Sequence, residues 1–167
     1  MPERDNLYGR VSRLVSVTGV DGTQDVRINL DRDVPLGLRI HDGDRDAMLR
    51  IEMSRSVGQM VQKGSLCRFA GAHDAMPFAR RLVDKLRQIA SKPISQKHVD
   101  RLLDISSAER LRWTKDGRLP TSGTASFTNG KAKILIETYP PDAIEALAAH
   151  PEIILRWREI DAADQPI

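Results

Sequence analysis

Two hydrophobic periodicities divide the chain. From Leu7 to Ala70 apolar residues recur at every second position: Val11, Val15 and Val17, then Val26, Ile28 and Leu30, then Leu36, Leu38 and Ile40, then Leu49, Ile51 and Met53. Successive side chains of a strand point to opposite faces, so this alternation predicts half-buried strands. Asp21-Gly22 and Asp42-Gly43 predict tight turns between them, and short turns make consecutive strands antiparallel neighbours in a small meander or open barrel. Between Ser54 and Gly64 the helical spacing of Val57, Met60 and Val61 competes with a helix-weakening Gly58. Ser65 to Ala70 is strand-like again and places Cys67 as a small buried hydrophobe.

Near Ala75 the period changes to 3.6. Phe78, Leu82, Leu86 and Ile89 line one stripe of a helix over 75–91, with Asp74 as its cap and Pro77 in its first turn. Its wet side is basic, with Arg80, Arg81, Lys85 and Arg87 before Ser91-Lys92-Pro93 breaks it. Ser95 can cap a further helix whose Val99, Leu102 and Leu103 share a face. After Asp104-Ile105-Ser106, Ser106 or Ser107 can cap a second short helix with Glu109 in its first turn. That helix is expected to turn Ala108, Leu111 and Thr114 inward, and Gly117 and Pro120 end it. Asn129-Gly130 marks a hairpin between Ala125–Thr128 and Ala132–Glu137, and Pro140-Pro141-Asp142 opens a helix with Ile144, Leu147 and Ala148 inside. After His150-Pro151, Ile153, Ile154 and Trp157 predict one or two more helical turns, packed on the preceding helix or used as a dimer contact. Asp161–Ile167 follows as a polar tail. The predicted fold class is α+β: an N-terminal antiparallel β-rich half at 1–74, a basic connecting helix at 75–92, a winged helix-turn-helix at 93–150, and a C-terminal helix and tail at 151–167.

The string Trp113-Thr114-Lys115-Asp116-Gly117-Arg118-Leu119-Pro120 resembles a motif of small excisionase-type proteins in the MerR-like winged-helix group. There a second helix ends in an aromatic, a few polar residues, Gly, a basic residue, Leu and Pro. The pattern Ile-Ser-x-x-x-Val-x-x-Leu-Leu-x-Ile-Ser at Ile94–Ser106 is similar to that family's first helix and turn, and Tyr139 to Leu147 to its exit into the last helix. The wing differs, carrying Lys131 and Lys133 followed by apolar Ile134-Leu135-Ile136 in place of an arginine-rich strand. The resemblance implies sequence-specific binding of double-stranded DNA, as a transcriptional regulator or excisionase-like architectural factor. A homodimer or cooperative array would be the working form.

In a helix-turn-helix the leading half of the second helix meets base edges while surrounding cations hold phosphates. Ser107, Glu109 and Arg110 occupy that half, with Arg110 suited to a bidentate guanine contact. Arg112, Lys115 and Arg118 are the candidate phosphate clamps, Lys131 and Lys133 the wing contacts, and Arg80, Arg81 and Lys85 the contacts of the lead-in helix. Trp113 and Leu119 are expected to be structural, with Trp113 the core plug of the motif.

Composition narrows the chemistry. Aromatic content of 4% supplies few rings for stacking single-stranded bases, while a net charge of +3 and a pI near 9.2 lean toward polyanionic partners. Arg10, Arg13, Arg27, Arg39, Arg50 and Arg68 recur on the polar phase of the first half, as a basic face or as a solvated one balanced by Asp21, Asp25, Asp31, Asp33, Asp42, Asp44 and Asp46. One cysteine forbids an internal disulfide and a cysteine-based zinc site. His41, His73, His98 and His150 lack ligand spacing, and His41-Asp42-x-Asp44 reads as an aspartate-rich turn. No phosphate loop, nucleophile elbow or paired-carboxylate motif occurs. The expectation is a cytoplasmic binding protein with no catalytic residue, no metal, no cofactor and no membrane span. Two other classes fit the same pattern, an RNA-binding module and a protein–protein adaptor that uses the apolar wing strand.

Overall fold

The computed structural model describes residues 9–40 and 42–164. It is a mixed α+β protein with two antiparallel sheets, and the chain forms two compact units, Met1–Ser91 and Lys92–Ile167.

The first unit is built on a sheet of β1 (Val15–Val20), β2 (Thr23–Ile28), β3 (Gln59–Gln62) and β4 (Leu66–Phe69), in the order β1-β2-β4-β3. Asp21 and Gly22 join β1 to β2 with φ of 46° and 81°; two positive φ values at the centre of a two-residue loop match the right-handed twist of the flanking strands. Val26, Ile28, Leu66, Cys67 and Phe69 are buried, and burial pushes the Cys67 thiol up to about 11. A long helix, Ala72–Ser91, supplies Phe78, Leu82 and Leu86 to the same core, with the Phe69 and Phe78 rings 4.9 Å apart. It starts earlier than expected. The N–H groups of Asp74 and Ala75 both donate to Gly71 C=O, so Asp74 lies inside the first turn rather than capping it.

Part of the period-two pattern is helical, so this unit is not a β-meander. Val11 lies in a helical stretch at 9–12, Leu30 in a 3-10 turn (Leu30–Arg32), and Leu36 and Leu38 in α1 (Val34–Arg39). Asn29 caps the first turn through Asp31 N–H, and Asp33 caps α1 through Leu36 N–H, with Pro35 pre-set in the first turn. Asp42-Gly43 opens α2 (Asp42–Met53) instead of forming a turn. Within α2, Met48, Leu49 and Glu52 are buried while Ile51 is exposed, a helical rather than an alternating phase. Ala47, Met48, Leu49, Arg50 and Glu52 are strong helix formers, and that propensity prevails over the chance spacing of Leu49, Ile51 and Met53. We label the long helix Ala72–Ser91 α3. The arginines of this unit are largely spent on its acids: Arg68 forks onto Asp25 at 2.7 and 2.8 Å, Arg10 onto Asp33, and Arg50 pairs with Asp46. Arg39 instead closes the C-terminus of α3 through the carbonyls of Ile89 and Ala90. His41 lies outside the described residues.

The second unit orders β5 (Ile94–Ser95), β6 (Gly123–Asn129) and β7 (Ala132–Tyr139) as β5-β7-β6, with α4 (Gln96–Leu103), α5 (Ser107–Lys115), α6 (Pro141–Ala149) and α7 (Pro151–Ala163). Its core is Ile94, Val99, Leu103, Ile105, Trp113, Leu119, Tyr139, Ile144 and Ile154. Between α4 and α5 the chain reverses through Asp104 at φ 51°, and Ile105 N–H returns to Asp100 C=O. Ser106 and Glu109 then form a reciprocal capping box that starts α5. Ser95 flanks α4 without bonding its backbone; its hydroxyl meets His98 Nδ1 at 2.7 Å. Gly117, at φ 84°, ends α5. The hairpin closes on the pair Asn129–Ala132, so its loop is Gly130-Lys131, one residue beyond the expected Asn-Gly centre, with Gly130 at φ 63°. The largest difference is at the C-terminus. Asp161 belongs to α7 rather than to a tail, and Trp157 docks edge-on against Trp113 of α5, ring centres 5.1 Å apart. Among the described residues no helix is long and apolar enough to cross a membrane.

Gly58 shows how tightly the first unit is closed. A Cβ there would sit 2.4 Å from the buried Phe69 ring. Gly58→Ala should therefore destabilise this unit by about 1–3 kcal/mol, read as a lower midpoint in urea unfolding.

Candidate nucleic-acid interface

The rotation of α5 decides what it offers outward. Its inner residues are Trp113, fully buried, and Arg110, 6% exposed. Ala108 and Leu111, expected inside, face out, and Leu111 is 58% exposed. An arginine can take an inward position because its charge is met there. Arg110 Nε donates to Asp100 Oδ1 at 2.7 Å, and its guanidinium lies beside the Tyr139 hydroxyl. Arg110 is thus withdrawn from any external guanine. The sequence did carry a signal for this. With Trp113 assigned to the core, the residues three and four positions before it, Arg110 and Glu109, share its side of the helix.

A second layer of contacts comes from α7. Arg158 Nε donates to Glu109 Oε1 at 2.6 Å and its Nη2 to Asp104 C=O at 2.8 Å. Asp161 accepts from Arg118 at 2.6 Å, from Arg112 at 2.7 Å and from the Trp113 indole N–H at 2.9 Å. Arg118 also bonds Asp116 and the Trp157 carbonyl, and its guanidinium lies 5.7 and 5.9 Å from the Trp113 and Trp157 ring centres. In this structure Glu109, expected at a base edge, and Arg118, expected as a phosphate clamp, instead fasten α5 and its exit to α7. The hydrogen bond from Arg158, opposed by partial burial and helped by Ser106, lowers Glu109 from 4.5 to about 2. Asp161 is lowered from 3.8 to about 2 by Arg118, against desolvation, with Trp113 and Arg112 adding to the effect.

What remains outward is Ser107, Ala108, Leu111, Arg112 and Lys115. Ser107 Oγ donates to Asp100 Oδ2 at 2.9 Å, and the Arg112 side chain stays 49% exposed beside Asp161. Lys131 and Lys133 are exposed at the hairpin tip and just beyond it. Residues 92–167 hold 11 basic and 11 acidic side chains, so any attraction for a polyanion comes from their segregation. Asp142, Glu145, Glu152, Glu159 and Asp164 sit on or at the end of α6 and α7, away from the α5 and hairpin lysines in sequence. Arg80, Arg81 and Lys85 belong to the first unit. Arg80 and Lys85 are exposed, whereas Arg81 is held by Glu52 at 3.1 Å and Ser56 at 2.6 Å. A cavity of about 210 Å³ beside it is lined by Arg55, Ser56, His73, Asp74, Pro77 and Arg81. Glu52 and Asp74 offset its two arginines.

Protein-family models, curated proteins and solved structures include no significant match to this chain.

Two outcomes follow from this arrangement. Trp113→Ala removes the largest fully buried side chain and orphans one bond of Asp161, and should cost about 3–5 kcal/mol in thermal or urea unfolding of the second unit. Glu109 and Asp161 are depressed in the folded state, so their stabilisation is complete only well above their ordinary values of 4.5 and 3.8, where both carboxylates are ionised whether folded or not. Below that the unfolded chain takes up protons first, and the contribution fades until the folded groups titrate near 2. Melting temperature should thus fall from pH 4.5 toward 2, and fall less in a Glu109→Gln, Asp161→Asn double variant.

Proposed function

We propose that residues 93–150 are a winged helix-turn-helix, akin to the excisionase-type group that their motif resembles, and that this protein binds duplex DNA as a transcriptional regulator or architectural factor. The carrying observation is the open face of α5, where Ser107, Ala108, Leu111, Arg112 and Lys115 are all exposed on one short helix entered through a tight turn. A helix of this kind fits the major groove. Ser107 Oγ, whose proton is given to Asp100, can accept from a base edge, and Ala108 and Leu111 suit thymine methyl groups. Arg112 exchanges Asp161 for a phosphate, while Lys115 and the hairpin's Lys131 and Lys133 meet the backbone on either side. Because the unit is electroneutral, one copy binds weakly, and two copies on repeated sites are part of the proposal.

One observation favours a different class. Phe127, Ile134 and Leu135 on the hairpin are 47%, 37% and 65% exposed, which suits a protein partner better than a phosphate backbone.

Fluorescence anisotropy with random and selected duplexes across a salt series separates the two. Lys131→Ala should weaken all duplexes alike and lower the slope of log affinity against log salt by about one. Leu111→Glu sets a carboxylate against the groove without disturbing the core, and should cost at least about tenfold. Arg110→Ala should act mainly on folding. Absence of binding to any duplex at low salt would overturn the DNA proposal and leave the adaptor function in its place.

A further inference from the structure

The hairpin carries an uncovered strand edge as well as an uncovered face. β6 is the last strand of its sheet, all seven of its residues are exposed, and Gly-Thr-Ala-Ser-Phe-Thr-Asn contains neither charge nor proline. Edges of soluble sheets are ordinarily blunted by charges, prolines or a covering element, because a row of free N–H and C=O groups recruits another strand. The register settles which groups those are. A two-residue loop makes Asn129–Ala132 a hydrogen-bonded pair, and bonded and non-bonded pairs alternate along an antiparallel ladder. Phe127–Ile134 and Ala125–Ile136 therefore bond across to β7, and the backbone groups of Thr124, Ser126 and Thr128 point away from it.

From this edge we infer that β6 is a self-association site, pairing antiparallel with β6 of a second copy of this chain about a two-fold axis at Ser126. At the outward-facing positions the strand reads the same from both ends, with Thr124 and Thr128 equidistant from Ser126. Thr124 falls opposite Thr128 of the second copy and Ser126 opposite Ser126, so the outward backbone groups meet as hydrogen-bonded pairs and only hydroxyl side chains lie across from one another. On the other face Ala125 falls opposite Phe127 of the second copy, a small side chain against a large one. That face continues through Ala132, Ile134 and Ile136 of each hairpin, because all of these share one side of the pleat. Cross-strand hydroxyl and apolar pairs are the units that stabilise a sheet, and the absence of charge on β6 means that like meets like without repulsion. A charged peptide finds no complement on this edge; a copy of itself does. The result is one continuous sheet through both copies, the isologous contact a symmetric dimer requires. It supplies a surface for the paired copies proposed above but does not depend on DNA.

Sedimentation equilibrium of the full chain without nucleic acid tests this directly. The expected result is a reversible monomer–dimer equilibrium. Ser126→Lys and Ser126→Glu each place like charges face to face on the axis and should raise the dimer dissociation constant at least about tenfold, with thermal melts unchanged at concentrations where the wild-type chain is monomeric, because Ser126 is exposed. An equimolar mixture of the two variants should restore dimers, since lysine then faces glutamate. A monomeric wild-type chain, dimers indifferent to either charge, or a mixture that fails to recover association would each overturn the proposal. A mixture that recovers it is a result that other dimer surfaces do not give.

Discussion

One carboxylate near the end of α7 organises the second unit. Asp161 accepts hydrogen bonds from Arg112, Trp113 and Arg118, and its side chain is only 11% exposed. A buried indole N–H left without a partner is costly, so the depth of Trp113 depends on this acceptor. Trp113 in turn sets the rotation of α5, which decides that Arg110 is interior and Leu111 exterior. The outward face thus depends on a residue 48 positions away in sequence.

Charge is distributed by chemistry more than by amount. Arg10, Arg68, Arg81, Arg110, Arg118 and Arg158 are bound to carboxylates within their own units, where a planar fork with several fixed donors satisfies buried or half-buried acids. Lysines stay in water: Lys115, Lys131 and Lys133 are exposed. The net excess of base lies in the first unit, with 15 basic and 12 acidic residues at 1–91, while 92–167 is balanced. A pI near 9 is therefore a weak guide to the candidate interface, whose positive character is local.

The two sheets differ in how they are finished. In the first unit α3 buries one face of the sheet with Phe78, Leu82 and Leu86. In the second, the hairpin is secured only near its base, where Ile94 pairs with Tyr139 and both are buried, and its outer half is open on both faces. A two-stranded ribbon is marginal alone, so apolar residues left on its outer half point to a use other than folding.

Features built from neighbours in sequence were legible without coordinates. Asp21-Gly22, the strand around Cys67, the Phe78–Leu86 stripe, the Ser106 cap, the Gly117 stop and the hairpin near Gly130 all depend on a few adjacent residues, and each was foreseen to within a turn or a residue or two. The α1 and α2 helices were not, because an alternating apolar pattern over so few positions also fits one side of a helix, and propensity and capping by Asp33 decided between them. Of the candidate contact residues, Ser107, Arg112, Lys115, Lys131 and Lys133 are at the surface, while Glu109, Arg110 and Arg118 are held in ion pairs inside or along the unit. Sequence alone bounded α5 between the Ser106-Ser107 pair and Gly117. Only the tertiary structure decided which side of it faces outward, because an arginine is buried or exposed according to whether Asp100, Asp161 or water meets its charge, and that partner is brought to it by the fold.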